Sequence, residues 1–267
     1  MPISALLAAY DNLILDLDGT VWVSDQPTPR AAEAIAWIRS AGKRVAFVTN
    51  DGRLTPEEYV QKLWGIGCTA AVEEIVSVGS VIQHVLAERL PGQGAFVIGA
   101  PAIFRHVADS GQRILNRTDE AESADVVVVV AHDELTYAEL RTATRAVTAG
   151  AQMICGGRDP SFPSEGGLSP GTGAVVAALE YATGRSARNV GKPDPQVFEV
   201  ALERLGGGET LMIGDHLVSD LGGAHSVGLP AAIVLTGVTD REGAEAATDP
   251  RPVAIAEDLA TLVLGPQ

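Results

Sequence analysis

Two aspartates, two positions apart, close a run of apolar residues in Leu13-Ile14-Leu15-Asp16-Leu17-Asp18-Gly19-Thr20-Val21-Trp22. Side chains alternate faces along a strand, so Asp16 and Asp18 leave the backbone in the same direction. Carboxylates at the end of a buried strand require a cation, a proton or a shift in each other's ionisation. The residues before them are too apolar for a solvated turn, which favours a functional pair. Three further elements carry matching chemistry: Thr49-Asn50, Gly191-Lys192-Pro193 and Gly214-Asp215-His216-Leu217-Val218-Ser219-Asp220. Carboxylates, a hydroxyl and a lysine together suit a divalent cation and a phosphoryl group. Phosphoryl transfer asks for an oxyanion nucleophile that stays ionised at neutral pH, with cationic and N–H or O–H donors around the transferring oxygens. A second acid must protonate the leaving alcohol and later activate water. Two carboxylates can divide these duties when their environments separate their pKa values.

Those elements need a scaffold that brings them together. Short apolar runs at residues 13–17, 45–48, 95–98, 126–130, 152–155, 210–213 and 231–235 alternate with helical spacing at 29–41, from Pro56 to Gly65, and at 77–89, 101–110, 137–149, 174–183, 197–205 and 222–227. This alternation predicts an α/β fold built on a doubly wound parallel sheet, whose active sites lie at the C-terminal ends of strands. The four elements are expected at the C-terminal ends of strands. The Gly/Pro-rich stretch 156–173 reads as loop. Glycines at 91–94 and the polar segment 184–189 read as hinges, so residues 1–89 and 188–267 form a core into which 90–187 is inserted as an α/β module. Trp22, Trp37 and Trp64 fall at helix or strand spacing and read as core packing.

The 267 residues are enough for one large domain or two modest ones. A hydrophobic share of 46% and a charged share of 20% are ordinary for a globular enzyme. A net charge of −15 argues against a nucleic-acid surface. It leaves phosphorylated substrates open, because a metal and local cations reverse the field inside a cleft. Cys68 and Cys155 read as buried thiols in a reducing compartment, not as a disulfide. The N-terminus lacks a basic stretch followed by a long apolar core, and the longest apolar run, 126–131, is far too short to span a bilayer. The expectation is a cytoplasmic protein with no membrane segment.

Taken in order, the four elements resemble the four motifs of the haloacid dehalogenase superfamily of phosphohydrolases. The inserted segment, with Asp125-Val126-Val127-Val128, Asp133-x-x-x-Tyr137, Gly157-Arg158-Asp159-Pro160 and Pro170-Gly171-Thr172-Gly173-Ala174, resembles the large α/β cap of the branch with p-nitrophenyl phosphatase-like, nucleotide, phosphoglycolate and glycerol-phosphate phosphatases. The resemblance implies a phosphomonoester hydrolase for a small ester, with Mg2+ as cofactor. It implies Asp16 as nucleophile through an aspartyl-phosphate, Asp18 as general acid/base, and Thr49, Asn50 and Lys192 as phosphate-binding groups. Asp16, the backbone carbonyl of Asp18 and Asp215 would ligate the metal, with Asp220 orienting Lys192 or a metal-bound water. Arg158, Asp159 and Phe162 in the cap become specificity candidates, and a homodimer through the cap follows by analogy. An acid at position 18 favours ester hydrolysis over the chemistry of superfamily members that lack it. Asp51 and His216 depart from the branch pattern and bear on the pocket's charge, and substrate contact by His132 stays open. Two other readings remain: a non-hydrolytic binding protein that keeps the fold, and a phosphotransferase using the same intermediate.

Overall fold

A computed structural model describes residues 5–24, 26–89, 91–164 and 167–265, apart from the side chains of 162–164 and 167–168. The chain divides into two units. One comprises Met1–Thr49, Pro56–Val76 and Lys192–Gln267; the other comprises Asn50–Thr55 and Ser77–Gly191.

The first unit is organised around the strand Asn12–Asp16. Every residue of that strand is buried, because it pairs in parallel on both sides, with Thr210–Gly214 and with Arg44–Thr49. A strand covered on both edges and both faces reads as a continuous apolar run, which is why Leu13-Ile14-Leu15 carries no polar alternation. The six-stranded order is Ala254–Ala256, Ala231–Val234, Thr210–Gly214, Asn12–Asp16, Arg44–Thr49, Ile75–Ser77. The chain thus starts in the middle, moves outward one way, and returns after the second unit to move outward the other way. This is the doubly wound α/β topology expected, and its switch point lies between Asn12–Asp16 and Thr210–Gly214. The helix Ala31–Ser40 buries Ala31, Ala34, Ile35 and Ile38, and Pro195–Leu205 buries Val197, Phe198, Val200, Ala201 and Leu205. The edge strands Ile75–Ser77 and Ala254–Ala256, of three residues each, were not foreseen; runs that short carry no periodicity.

The second unit has its own parallel sheet, ordered Arg188–Asn189, Gln152–Cys155, Val126–Val129, Gly94–Ile98, Arg113–Ile114. Phe96, Ile98, Val127, Val129 and Met153 on its strands pack with Val175, Val176 and Leu179 of the helix Thr172–Thr183. Its limits differ from the expected 90–187. The helix Val78–Ala87 belongs to this unit, so residues 77–89 are not part of the core as the sequence suggested. That helix packs on the helix Pro101–Asp109, where Gln83 Oε1 lies 2.8 Å from His106 Nδ1 and Gln112 Nε2 donates to the Leu86 carbonyl at 3.2 Å. Gly79 faces the His106 ring, with no room for a Cβ between them. Amphipathic spacing identified a helix there without identifying the surface that takes its apolar face. The stretch 156–173 is also not all loop: Ser161–Ser164 and Gly167–Pro170 pair antiparallel, Phe162 opposite Ser169. Pro163 and Pro170 masked this hairpin, since proline disfavours strand interiors but is tolerated in an unflanked two-stranded ribbon.

Among the described residues neither cysteine forms a disulfide and both are buried, and burial pushes the Cys68 thiol up to about 11, away from thiolate reactivity. Trp22 is fully buried, whereas Trp64 is 60% exposed and so is not core. No helix is long and apolar enough to cross a membrane, among the described residues.

Candidate active site

The C-terminal ends of three adjacent strands converge on one buried group of charges. Asp16 ends Asn12–Asp16, Thr49 ends Arg44–Thr49, and Asp215 follows Thr210–Gly214. Lys192 lies just before the helix Pro195–Leu205. Its Nζ donates to Asp16 Oδ1 at 2.5 Å and to Asp220 Oδ1 at 2.7 Å. Asp16, Lys192, Asp215 and Asp220 are all buried, with 5% exposure or less. Asp16, Asp215 and Asp220 each offer a ligand atom within 4.8 Å of the others.

Asp220 has the most constrained carboxylate of the three. Oδ1 accepts from Lys192, and Oδ2 accepts from the backbone N–H groups of Asp215 and His216, both at 3.0 Å. It therefore fixes the ammonium and the Asp215 turn together, and Gly214 leaves the space its carboxyl occupies. Asp215 is held by the loop after Ala231–Val234: the Val238 N–H donates to Asp215 Oδ2 at 2.6 Å and the Thr239 N–H to the Asp215 carbonyl at 3.1 Å. Two glycines make room for that carboxylate. A Cβ on Gly19, at φ 88°, would lie 2.5 Å from the Asp215 carboxyl carbon, and a Cβ on Gly237 would overlap Oδ2. Nothing in the sequence marked Gly237; only the tertiary approach of its loop gives it a role. Gly237→Ala is expected to displace Asp215 and lower stability by about 1–3 kcal/mol, measured as a fall in the midpoint of thermal unfolding.

Three buried carboxylates surround one ammonium, so the group carries an excess of negative charge when ionised. The Asp16 carboxyl is pushed well above the usual aspartate range, first by burial and then by Asp220 and Asp215, with Lys192 opposing. Asp215 is raised as well, by burial and by Asp220, against the Val238 N–H and Lys192. Burial works against charge on Lys192, but Asp16 and Asp220 outweigh it and hold the ammonium protonated. Hard oxygen donors with surplus negative charge are the donor set that divalent Mg2+ or Ca2+ takes, so the residues fit such a cation.

Asp18 stands apart from these acids. It is exposed; its Oδ1 accepts from Trp22 Nε1 at 2.9 Å, and its Oδ2 lies 3.5 Å from Thr49 Oγ1. The remaining sequence-predicted residues fall in the second unit or serve the backbone. Asn50 lies against Gly191, with the Asn50 Oδ1 2.8 Å from where a Gly191 Cβ would be. Asp51 pairs with Arg53 at 2.9 Å. Arg158 makes a two-pronged contact with Glu180 at 2.9 and 3.1 Å and donates to the Ala187 carbonyl at 2.7 Å, which ties it to the second unit's own scaffold. Asp159 is half-buried, and its carbonyl accepts from the Gly173 N–H at 2.9 Å. Phe162 lies on the hairpin, its side chain outside the described residues. His216 Nδ1 accepts from the Val218 and Ser219 N–H groups at 3.1 Å each, which makes it a cap for the turn that carries Asp220. His132 Nε2 lies 3.3 Å from Glu139.

Residues 13–113 match the family model for haloacid dehalogenase-like hydrolases, and residues 189–262 match a HAD-hydrolase-like model. Over 255 residues the chain is 36% identical to the D-glycerol 3-phosphate phosphatase of Mycobacterium tuberculosis, covering 95% of this chain and 71% of that one. The chain belongs to the haloacid dehalogenase-like hydrolases. It is a phosphatase, as are the named relatives it resembles. An acid sugar phosphatase of Staphylococcus aureus is 32% identical over 235 residues, 87% of this chain and 89% of that protein. The fold superimposes on a crystal structure of the M. tuberculosis glycerol phosphate phosphatase in complex with magnesium, with a TM-score of 0.87, 34% identity, and coverage of 98% of this chain and 79% of that one.

Proposed function

We propose that this haloacid dehalogenase-like phosphatase hydrolyses a small phosphate monoester, a polyol or sugar phosphate, in a magnesium-dependent reaction through an aspartyl-phosphate on Asp16. The observation that carries this reading is the Lys192 ammonium held between Asp16 and Asp220, with Asp215 beside them. Asp16 Oδ attacks phosphorus while the ester oxygen departs with a proton from Asp18. Asp18, now ionised, takes a proton from water as that water attacks phosphorus, and Asp16 is released with inorganic phosphate. Lys192 offsets phosphoryl charge and orients Asp16, Thr49 offers a hydroxyl to the phosphoryl oxygens, and Asp220 orients Lys192. Asp16 and Asp215, with the backbone carbonyl of Asp18, would hold magnesium, which when bound supplies positive charge to the phosphoryl oxygens. The names of the glycerol-phosphate and sugar-phosphate relatives support the substrate class.

The test is phosphate release from glycerol 3-phosphate, sugar phosphates, phosphoglycolate, nucleoside monophosphates and p-nitrophenyl phosphate, with magnesium or with EDTA. Magnesium-dependent release, fastest with a polyol or sugar phosphate, is expected. No release from any ester with magnesium present contradicts the reading.

Stability also follows. The raised Asp16 and Asp215 carboxyls keep protons in the folded state that the unfolded chain releases above the ordinary aspartate value of 3.8. Metal-free stability contributed by these groups therefore falls as pH rises from that value through the raised folded ones. A saturating cation that replaces those protons is expected to raise the midpoint of thermal unfolding by about 5–10 °C at pH 7.5 and by much less at pH 5, as read by scanning fluorimetry across pH.

A further inference from the structure

The buried indole of Trp22 has one hydrogen-bond donor, and its acceptor is the exposed carboxylate of Asp18. The loop that follows Asn12–Asp16 produces this contact. The N–H groups of Val21 and Trp22 donate to the Leu17 carbonyl at 2.9 and 3.1 Å, and the Gly19 N–H donates to the Trp22 carbonyl at 2.7 Å. Gly19 permits that reversal by its positive φ of 88°. The loop therefore folds Trp22 back under Asp18, with Nε1 at 2.9 Å from Oδ1. Trp22 is fully buried and sits on the strand pair Trp22–Val23 and Gln26–Pro27. Lys62, from the helix Pro56–Gly65, places its Nζ 4.3 Å from the centre of the ring. A cation on an indole face fixes the ring's orientation and polarises its N–H toward a stronger donor.

We infer that Trp22 is a positioning residue for the proton-transfer group of this phosphatase. Its N–H donates to Oδ1 of Asp18 and so fixes the orientation of the carboxyl group that passes a proton to the leaving ester oxygen. The ring packs as core, and its N–H adds a hold on the carboxylate that phenylalanine could not supply. The inference rests on the proposed acid/base role of Asp18.

The test exploits leaving-group chemistry. A p-nitrophenolate leaves with little help from an acid, and a phenolate or methoxyphenolate needs more. Trp22→Phe keeps a ring beneath Lys62 and removes the N–H. With the folded holoenzyme and saturating magnesium, kcat/KM is measured for p-nitrophenyl, phenyl and p-methoxyphenyl phosphate. Trp22→Phe is expected to cost the poor leaving groups about tenfold more than p-nitrophenyl phosphate, a part of the roughly 10²–10⁴-fold that a general acid contributes. Lys62→Met is expected to change the series in the same direction by a smaller factor. An equal loss across the series, with unchanged thermal unfolding, overturns the inference and leaves Trp22 a packing residue. Asp18→Asn separates the two claims. If it steepens the leaving-group dependence while Trp22→Phe does not, only the Trp22 inference fails. If Asp18→Asn leaves the dependence unchanged, the acid/base role of Asp18 fails and the inference falls with it.

Discussion

Asp16→Asn is expected to reduce phosphate release from every ester by about 10⁴-fold or more, the scale at which removal of a nucleophile acts, while the protein stays folded. The amide keeps the shape of the side chain and can still accept from Lys192, so Asp220 and Lys192 keep their contact. What is lost is the oxyanion. The same change is expected to leave metal-free stability equal or higher, because the Asp16 carboxylate is buried among two other acids and its ionised form is disfavoured there. A site that gains stability when its key group is neutralised has traded stability for reactivity. Steady-state phosphate release and thermal unfolding, measured on one preparation with and without magnesium, check both halves.

Lys192→Met is expected to be the most destabilising single change at the site. It removes the ammonium that sits 2.5 Å from Asp16 and 2.7 Å from Asp220, and it leaves three buried carboxylates with their charges uncompensated. Breaking a buried pair by removing one partner costs about 3–5 kcal/mol, and activity falls by about 10³-fold with the loss of charge at the phosphoryl group. Protonation of the acids relieves the strain, so the deficit against wild type shrinks as pH falls toward 5. Adding Asp220→Asn to Lys192→Met is expected to recover part of the stability and none of the activity. That pattern is a non-additive coupling between groups in contact, and chemical denaturation of the two single variants and the double variant measures it.

The members of the buried charged cluster were legible from where they stand along the chain. Asp16 interrupts an apolar segment that had to be buried on both faces, and Asp215 follows one of the same kind. Lys192 was legible from Gly191-Lys192-Pro193 ahead of a helix. What escaped the sequence depends on approach between distant segments. Gly237 looks like any loop glycine until the Asp215 carboxylate is seen to fill the place of its Cβ. Trp22 reads as core packing, and it is, but its N–H partner is set by a turn that folds four residues back. The helix Val78–Ala87 was visible as a helix, yet its unit was decided by the Pro101–Asp109 surface it covers. The contacts of Arg158 with Glu180 and the Ala187 carbonyl likewise join segments distant in the chain.

The most direct test of the account is to trap the phosphoenzyme. The protein is mixed with magnesium and p-nitrophenyl phosphate labelled at phosphorus, quenched in acid within the first turnovers, digested and mapped. The label is expected on the peptide containing Asp16, in a form that hydroxylamine or borohydride cleaves as an acyl phosphate, and it is expected to be absent from Asp16→Asn. Turnover with no protein-bound label, or with the label on any residue other than Asp16, would contradict it.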